Sequence, residues 1–271
     1  MFRSLKDAIK RITQSTPVGS VLRTRDWEQI VPAELRNQSL YSSGVESIRV
    51  LDAVKSKLAA SVSQMRERVA KGEALVTRDS FVADLKDTLA QEGLGTGEGG
   101  LTDISSARRL RLIYDTQVDR AHAYAQHVAG QDPDLLDAVP AQELVRIEDR
   151  SAPRDWRARW TQAGGKLVAG RMVALKSDPI WAAISRFGTP FPPFDFGSGM
   201  GVRDVNLEEA QQLGLLRPGE RPTPAPNTGM GDISESDLGP EKMAQLRLIF
   251  GDQVNVQDGA VRFVRQEGGA S

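Results

Sequence analysis

The chain has 271 residues, 39% hydrophobic and 26% charged, with a formal charge of −1, which suits one or two domains with a sizeable core. It has no cysteine, which excludes disulfides, thiolate metal sites and cysteine nucleophiles and fits a reducing compartment. Mean hydropathy is −0.36, and no apolar run approaches the ~18 residues of a membrane-crossing helix, so no membrane partner is expected.

In the first stretch, Phe2, Leu5, Ile9 and Ile12 fall on one helical face, with Lys6, Lys10 and Arg11 elsewhere. Residues 1–25 hold six basic residues against Asp7 alone, a net +5. Residues 1–26 therefore read as a basic arm: a partner helix, a DNA-touching arm, a membrane-surface helix or a plain terminal helix. Lys6, Lys10 and Arg11 are candidate phosphate contacts.

Residues 27–92 read as a helical region. Thr24–Trp27 opens a turn or short helix that ends before Pro32. Val45, Ile48, Leu51, Val54, Leu58 and Val62 recur at three- and four-residue steps, with Arg49, Lys55, Lys57, Arg66 and Arg68 on other faces. Asp79 or Ser80 reads as the cap of a second helix carrying Phe81, Val82, Leu85 and Leu89. Residues 93–101 are a Gly-rich linker. No Gly-Lys-Ser/Thr follows it, so it is not a phosphate-binding loop.

Thr102 or Asp103 caps the next helix, whose stripe is Leu110, Ile113, Tyr114, Val118, Ala121, Ala125 and Val128. Arg108, Arg109 and Arg111 sit at its start, the end less favourable for cations, and call for a local ion-pair network or phosphate. His122 and His127 lie about 140° apart on a helix and cannot chelate one metal from one face. Ala141–Glu148 alternates weakly, as a strand does. Trp156 and Trp160 share a helical face among Arg154, Arg157 and Arg159. Interleaved Arg and Trp either clamp a nucleic acid or put Trp in the core with Arg over it.

The stretch from Ser177 to Val205 holds four of the eight Phe, together with Trp181, Pro179, Pro190, Pro192 and Pro193. It predicts a stiff, extended ribbon with large apolar faces. Such a ribbon must be covered, by the chain's own helices or by a partner. Trp181, Phe187, Phe191, Pro193, Phe194 and Phe196 are the candidate partner-binding residues. Beyond it, Asn206 caps a helix ending at Gly214, residues 217–231 form a Pro-rich linker, and residues 232–271 form a small helix-hairpin unit that needs a partner surface. The Asp258-Gly259 pair marks the hairpin turn. The fold class expected is α+β and mainly α-helical: a helical N-terminal part, a mixed central domain with the Pro/Phe-rich segment, and the small C-terminal unit.

Asp178, Asp195 and Asp204, with Glu143 or Glu148, invite an enzyme reading, which would need carboxylates converging within several Å. Their spacing does not demand it. Asp178-Pro179 reads more simply as a helix start, and Ser198 lacks the Gly-x-Ser-x-Gly frame. No catalytic residue, metal or cofactor is expected.

Two runs carry a family likeness. The helix LRLIYDTQVDRAHAYAQ and the segment PRDWRARWTQAGG, followed by SDPIWAAISRFGTPFPPFDFGSGMGVRDVNLEEAQQLGLL, resemble tailed-phage minor head proteins of the phage Mu F-like head morphogenesis family. TRDWEQIVPAELRNQSLYSSGVESIRVLDAV and RDSFVADLK also look like the lead-in of such proteins. The likeness covers roughly residues 20–216, with a Mu F-like minor head domain at 102–216. It is most specific at Asp178-Pro179-Ile180-Trp181 and Pro192-Pro193-Phe194-Asp195-Phe196. Many members finish the following turn with Cys-Arg-Cys, where this chain has Ser198-Gly-Met-Gly201.

The resemblance implies a structural virion protein made in the host cytoplasm, with few or several copies per head. Its partners would be the portal protein, the major capsid protein, or both, and it would assist head assembly, DNA packaging or ejection. The alternatives are an internal head protein that binds packaged double-stranded DNA, through Arg154, Arg157, Arg159, Lys6, Lys10 and Arg11, and a virion-associated hydrolase.

Overall fold

The computed structural model describes residues 2–71, 77–94, 99–100, 103–225 and 231–264. It is 50% helical with 14% strand, in the α+β, mainly helical class expected.

Helix α1 (Phe2–Gln14) buries Ala8, Arg11 and Ile12 and exposes Lys6 and Lys10. The strand β1 (Thr16–Pro17) pairs in parallel with β2 (Ser39–Leu40) around two short helices, α2 (Thr24–Ile30) and α3 (Ala33–Gln38). Helix α4 (Ile48–Lys71) buries the expected stripe of Leu51, Val54, Leu58 and Val62. The side chains of Arg66 and Arg68 lie outside the described residues, as do Thr102 and parts of both linkers. Helix α5 (Arg78–Gln91) is capped by Thr77, whose side chain accepts the Ser80 N–H, so the cap lies just before the two residues expected. Helix α6 (Ala107–Gly130) is entered through Ser106, whose hydroxyl accepts the Arg109 N–H at 3.2 Å, while Asp103 holds the preceding turn through Ser105.

Asp132 and Pro133 start a short helix that the sequence reading did not assign, α7 (Pro133–Ala138). There follow β3 (Ala141–Arg146), α8 (Trp156–Gln162), β4 (Val173–Leu175), α9 (Ile180–Ala183), β5 (Met200–Val205) and α10 (Leu207–Gln212). The chain closes with β6 (Ile233–Ser234), α11 (Glu235–Leu238), α12 (Pro240–Phe250) and the hairpin β7 (Val254–Gln257) and β8 (Ala260–Phe263). The hairpin turn is at Asp258 and Gly259, as expected. Their φ values of 53° and 77° are what a two-residue turn with primed geometry requires.

The chain forms two compact units, one of Met1–Asp7 and His122–Gly229, the other of Ala8–Ala121 and Met230–Ser271. One division, between Gly229 and Met230, falls within the expected linker 217–231, none falls within 93–101, and the others fall inside α1 and α6.

In the second unit, α4, α5 and the first half of α6 bury Leu58, Leu85, Leu89 and Leu110, and the Phe81 and Tyr114 rings meet at 5.0 Å. Lys57–Asp84, Arg78–Asp115 and Arg111–Asp79 pair on its surface at 3.0–3.1 Å, each worth at most about 1 kcal/mol. Arg109 turns inward instead and donates to the Ser42 hydroxyl and the Ser43 carbonyl. Arg109 and Arg111 thus find local partners, while Arg108 is exposed.

The C-terminal helix and hairpin are not a free-standing unit. Met243, Leu246, Phe250, Val254, Val261 and Phe263 form one core with Trp27, Val31 and Leu35. Trp27 stacks on Tyr41 with ring centroids 4.1 Å apart. The partner surface the hairpin needs is supplied by the chain's own first helices.

In the first unit, β3 lies between β4 and β5, antiparallel to both. Alternation along β3 gives two different faces. Leu144, with Ala174 and Met200, packs on Trp156, Trp160, Ile180, Trp181, Ile184 and Phe194. Ala141, with Val173 and Val205, packs on Ala210 of α10.

Leu246 is fully buried at the centre of the Trp27 core. Leu246→Ala is expected to destabilise the second unit by about 2–5 kcal/mol, as transfer and cavity costs add. Urea unfolding should show a lower midpoint, and an unchanged midpoint would contradict that packing.

Candidate functional site

The aromatic segment folds inward. Trp181 and Phe194 are 0% exposed, Phe191 2% and Phe187 7%. Pro193 and Phe196 are half-buried. These six residues were expected on a partner-binding surface, and the structure corrects this for the four buried rings, leaving Pro193 and Phe196 partly exposed. The buried rings are covered by the chain, chiefly by Trp160, Ile180 and Ile184 around Trp181 and Phe194, and by Tyr124 and His127 around Phe191. The segment also closes on itself where a stiff extended ribbon was expected. The Arg186 N–H donates to the Phe194 carbonyl at 2.9 Å, and the Ser185 hydroxyl accepts the N–H groups of Phe187 and Thr189. The Pro192–Pro193 peptide is cis.

Trp181 fixes this loop to the sheet. Its indole N–H donates to the Leu175 carbonyl at the end of β4, at 2.8 Å, and its ring meets Trp160 edge-on at 5.3 Å. The Asp178 carboxylate accepts the Ile180 N–H at 2.8 Å and turns the chain into α9. The turn after Phe196 runs close to the end of β3. Gly199 has φ +64°, and a Cβ there would lie 2.5 Å from the Glu148 carbonyl oxygen. Glycine is required at that position by both its conformation and the contact.

Asp195 is 6% exposed and lies at the centre of a cation cluster. Its oxygens meet Arg159 at 2.8 Å, Arg154 at 3.6 Å and Arg186 at 3.7 Å. Arg154 also donates to the Phe196 carbonyl, Arg157 to the Gly170 carbonyl, and Arg159 lies 4.8 Å above the Trp156 ring. Trp156 and Trp160 are buried, so the reading of a tryptophan core with arginine laid over it describes this helix. The side chains of Arg154 and Arg157 remain exposed.

A second charged group lies on the other face of the sheet. Glu143 faces Arg203 across the β3–β5 pair, and Arg171 bridges Glu143 and Glu209 at 2.7 and 2.8 Å. Arg203 and then Arg171 hold Glu209 down to about 2, and Arg171, with Arg203, holds Glu143 below its ordinary value. Two acids meet two bases, so this network is neutral.

Of the other candidate phosphate contacts, Lys6 and Lys10 are exposed. Arg11 is 4% exposed and is not a surface contact, because it turns inward with Ala8 and Ile12. The acids weighed for catalysis each have their own partner: Lys176 meets Asp204 at 2.9 Å, Arg150 meets Glu148, and Asp178 accepts a backbone N–H of α9. Ser198 is buried, its hydroxyl accepting the Met200 N–H. Among the described residues, no group of three or more His, Asp or Glu is placed to hold a metal ion.

Two parts of this arrangement were not found from the sequence. Arg186 joins the Asp195 cluster only because the loop closes, and the Glu143–Arg171–Arg203–Glu209 group depends on strand register. The lone acid between Phe194 and Phe196 was the available hint to the first.

No protein-family model, curated protein or solved structure matches the chain.

Phe194→Ala is expected to cost about 3–5 kcal/mol of stability through a buried cavity. A side chain kept for partner contact would leave the urea midpoint unchanged. His127 gives a pH test. Burial, and then Lys176, hold it down to about 4 from 6.5, with Nε2 buried and unbonded among the described residues. The unfolded chain binds the extra proton in that interval, so stability is unaffected above about pH 6.5 and falls as pH drops towards 4, by about 3 kcal/mol in all. In urea titrations at about pH 7 and pH 5, His127→Gln should remove about 2 kcal/mol of the loss seen in the parent chain. Equal losses in both proteins would contradict the buried neutral imidazole.

Proposed function

We propose that this chain is a structural minor head protein of a tailed phage, bound at the portal vertex or inner capsid and assisting head assembly, DNA packaging or ejection. The reading rests on the resemblance at Asp178–Trp181 and Pro192–Phe196. The observation that supports it best is where those two motifs go. They meet in one core, with Trp181 and Phe194 6.1 Å apart, and their acids are committed to backbone and arginine. Motif residues used for packing and charge pairing fit a protein that assembles with others and breaks no bond. In this reading the chain is made in the host cytoplasm and ends in the virion.

Co-expression with the portal and major capsid proteins of the same phage tests the proposal. Assembled heads, purified by density gradient, are expected to retain the chain in few copies, and heads made without the portal should retain less if the vertex is the site. Heads that exclude a folded, soluble chain would overturn the reading.

A further inference from the structure

We infer that the arginine cluster around Asp195 is a docking site for the phosphodiester backbone of double-stranded DNA, read without regard to base sequence. The inference does not depend on the head-protein reading.

The charge distribution comes first. From Arg150 to Arg186 the chain carries eight basic and two acidic residues. Arg171 is balanced by Glu143 and Glu209, Lys176 by Asp204, and Arg150 by Glu148. Arg154, Arg159 and Arg186 converge on Asp195, and Arg157 reaches the Gly170 carbonyl. Asp155 lies beside Arg154 and caps α8 by accepting the Ala158 N–H. Even with both acids counted, the patch is positive.

The geometry comes second. The Asp195 carboxylate draws Arg154 and Arg159 to one place, and the Trp156 ring supports Arg159 from below. The guanidinium groups are thereby oriented before any ligand arrives, which lowers the ordering cost of binding. Arg154 and Arg157 are exposed, and Arg159 is partly so. Guanidinium forks suit phosphate oxygens and are less hydrated than ammonium groups.

The tryptophans decide between nucleic acid types. Single-strand binders stack bases on exposed aromatic rings. Trp156 and Trp160 are 3% and 1% exposed, so neither ring in this patch is available to a base. Contacts of this patch are to phosphate, which fixes position without reading sequence.

The test uses the full chain and two fluorescent duplexes of unrelated sequence. Both are expected to bind equally and weakly, with a Kd of about 10⁻⁴–10⁻⁶ M, and with a log–log salt slope of about −3 for three phosphates. Arg154→Ala and Arg157→Ala should each make the slope shallower by about 1, with thermal unfolding recorded to show that the fold persists. Lys242→Ala removes one positive charge in the other unit and should leave the slope unchanged. Absence of binding at low salt, equal effects of Lys242→Ala and the two arginine variants, or a strong preference for one sequence would overturn the inference. Competition by poly-glutamate as effective as that by duplex would also overturn it, and would assign the patch to an acidic protein surface.

Discussion

Full burial of Trp181 is the constraint on which the first unit depends. An indole inside a core must satisfy its N–H, and here the carbonyl at the end of β4 does so. That one bond fixes the loop's distance from the sheet. The ring then needs apolar neighbours on all sides. Trp160 supplies one from α8, Phe194 another from the far end of the loop, and Leu144 and Met200 lie on the sheet face below. Closure between Arg186 and Phe194 follows from the same need, because Phe194 can reach Trp181 only if the chain returns. The prolines limit the paths that return can take, and the glycines allow its close approaches.

Charge completes what packing begins, and the two faces of the sheet do it differently. On the α10 face, two glutamates and two arginines make a balanced group that joins three segments. On the other, Asp195 lies almost out of water and is met by several guanidiniums, themselves partly solvated. A carboxylate so placed would be costly to leave unpaired. A surplus of cations around it has a lower cost, because their outer edges remain in water. The surplus charge is therefore carried at the surface, where it can act on other molecules.

Much of the fold was legible in the sequence because it was periodic. The stripe of α4, the cap at Asn206, the weak alternation of β3 and the Asp258-Gly259 turn are local signals and appear where local physics places them, and Asp178 bonds the first turn of α9 one residue ahead of the cap position. Short α7 was missed, although Asp132-Pro133 is the same sequence pair as Asp178-Pro179, and here Asp132 is the cap with Pro133 in the first turn. Domain boundaries were less legible. A run of Gly or Pro marks where a chain can bend and does not say which segments later share a core. Trp27 and Phe263 lie 236 positions apart in one cluster, and nothing near either residue announces the other. The aromatic segment was legible as needing cover. Whether the cover came from within depended on Trp156, Trp160 and the sheet face, and so on tertiary structure.

The location of those aromatics changes where function must be sought. A likeness carried by Trp181 and Phe194 is a likeness of interiors, since both are closed to any partner. It can suggest a fold lineage, while the contacts that distinguish one assembly from another must lie on residues the likeness does not fix. Interfaces draw their energy from side chains that lose water on binding. In the first unit, the exposed ends of Arg154 and Arg157 meet that condition and the buried rings do not. The core holds the arginines in position, and the arginines face outward.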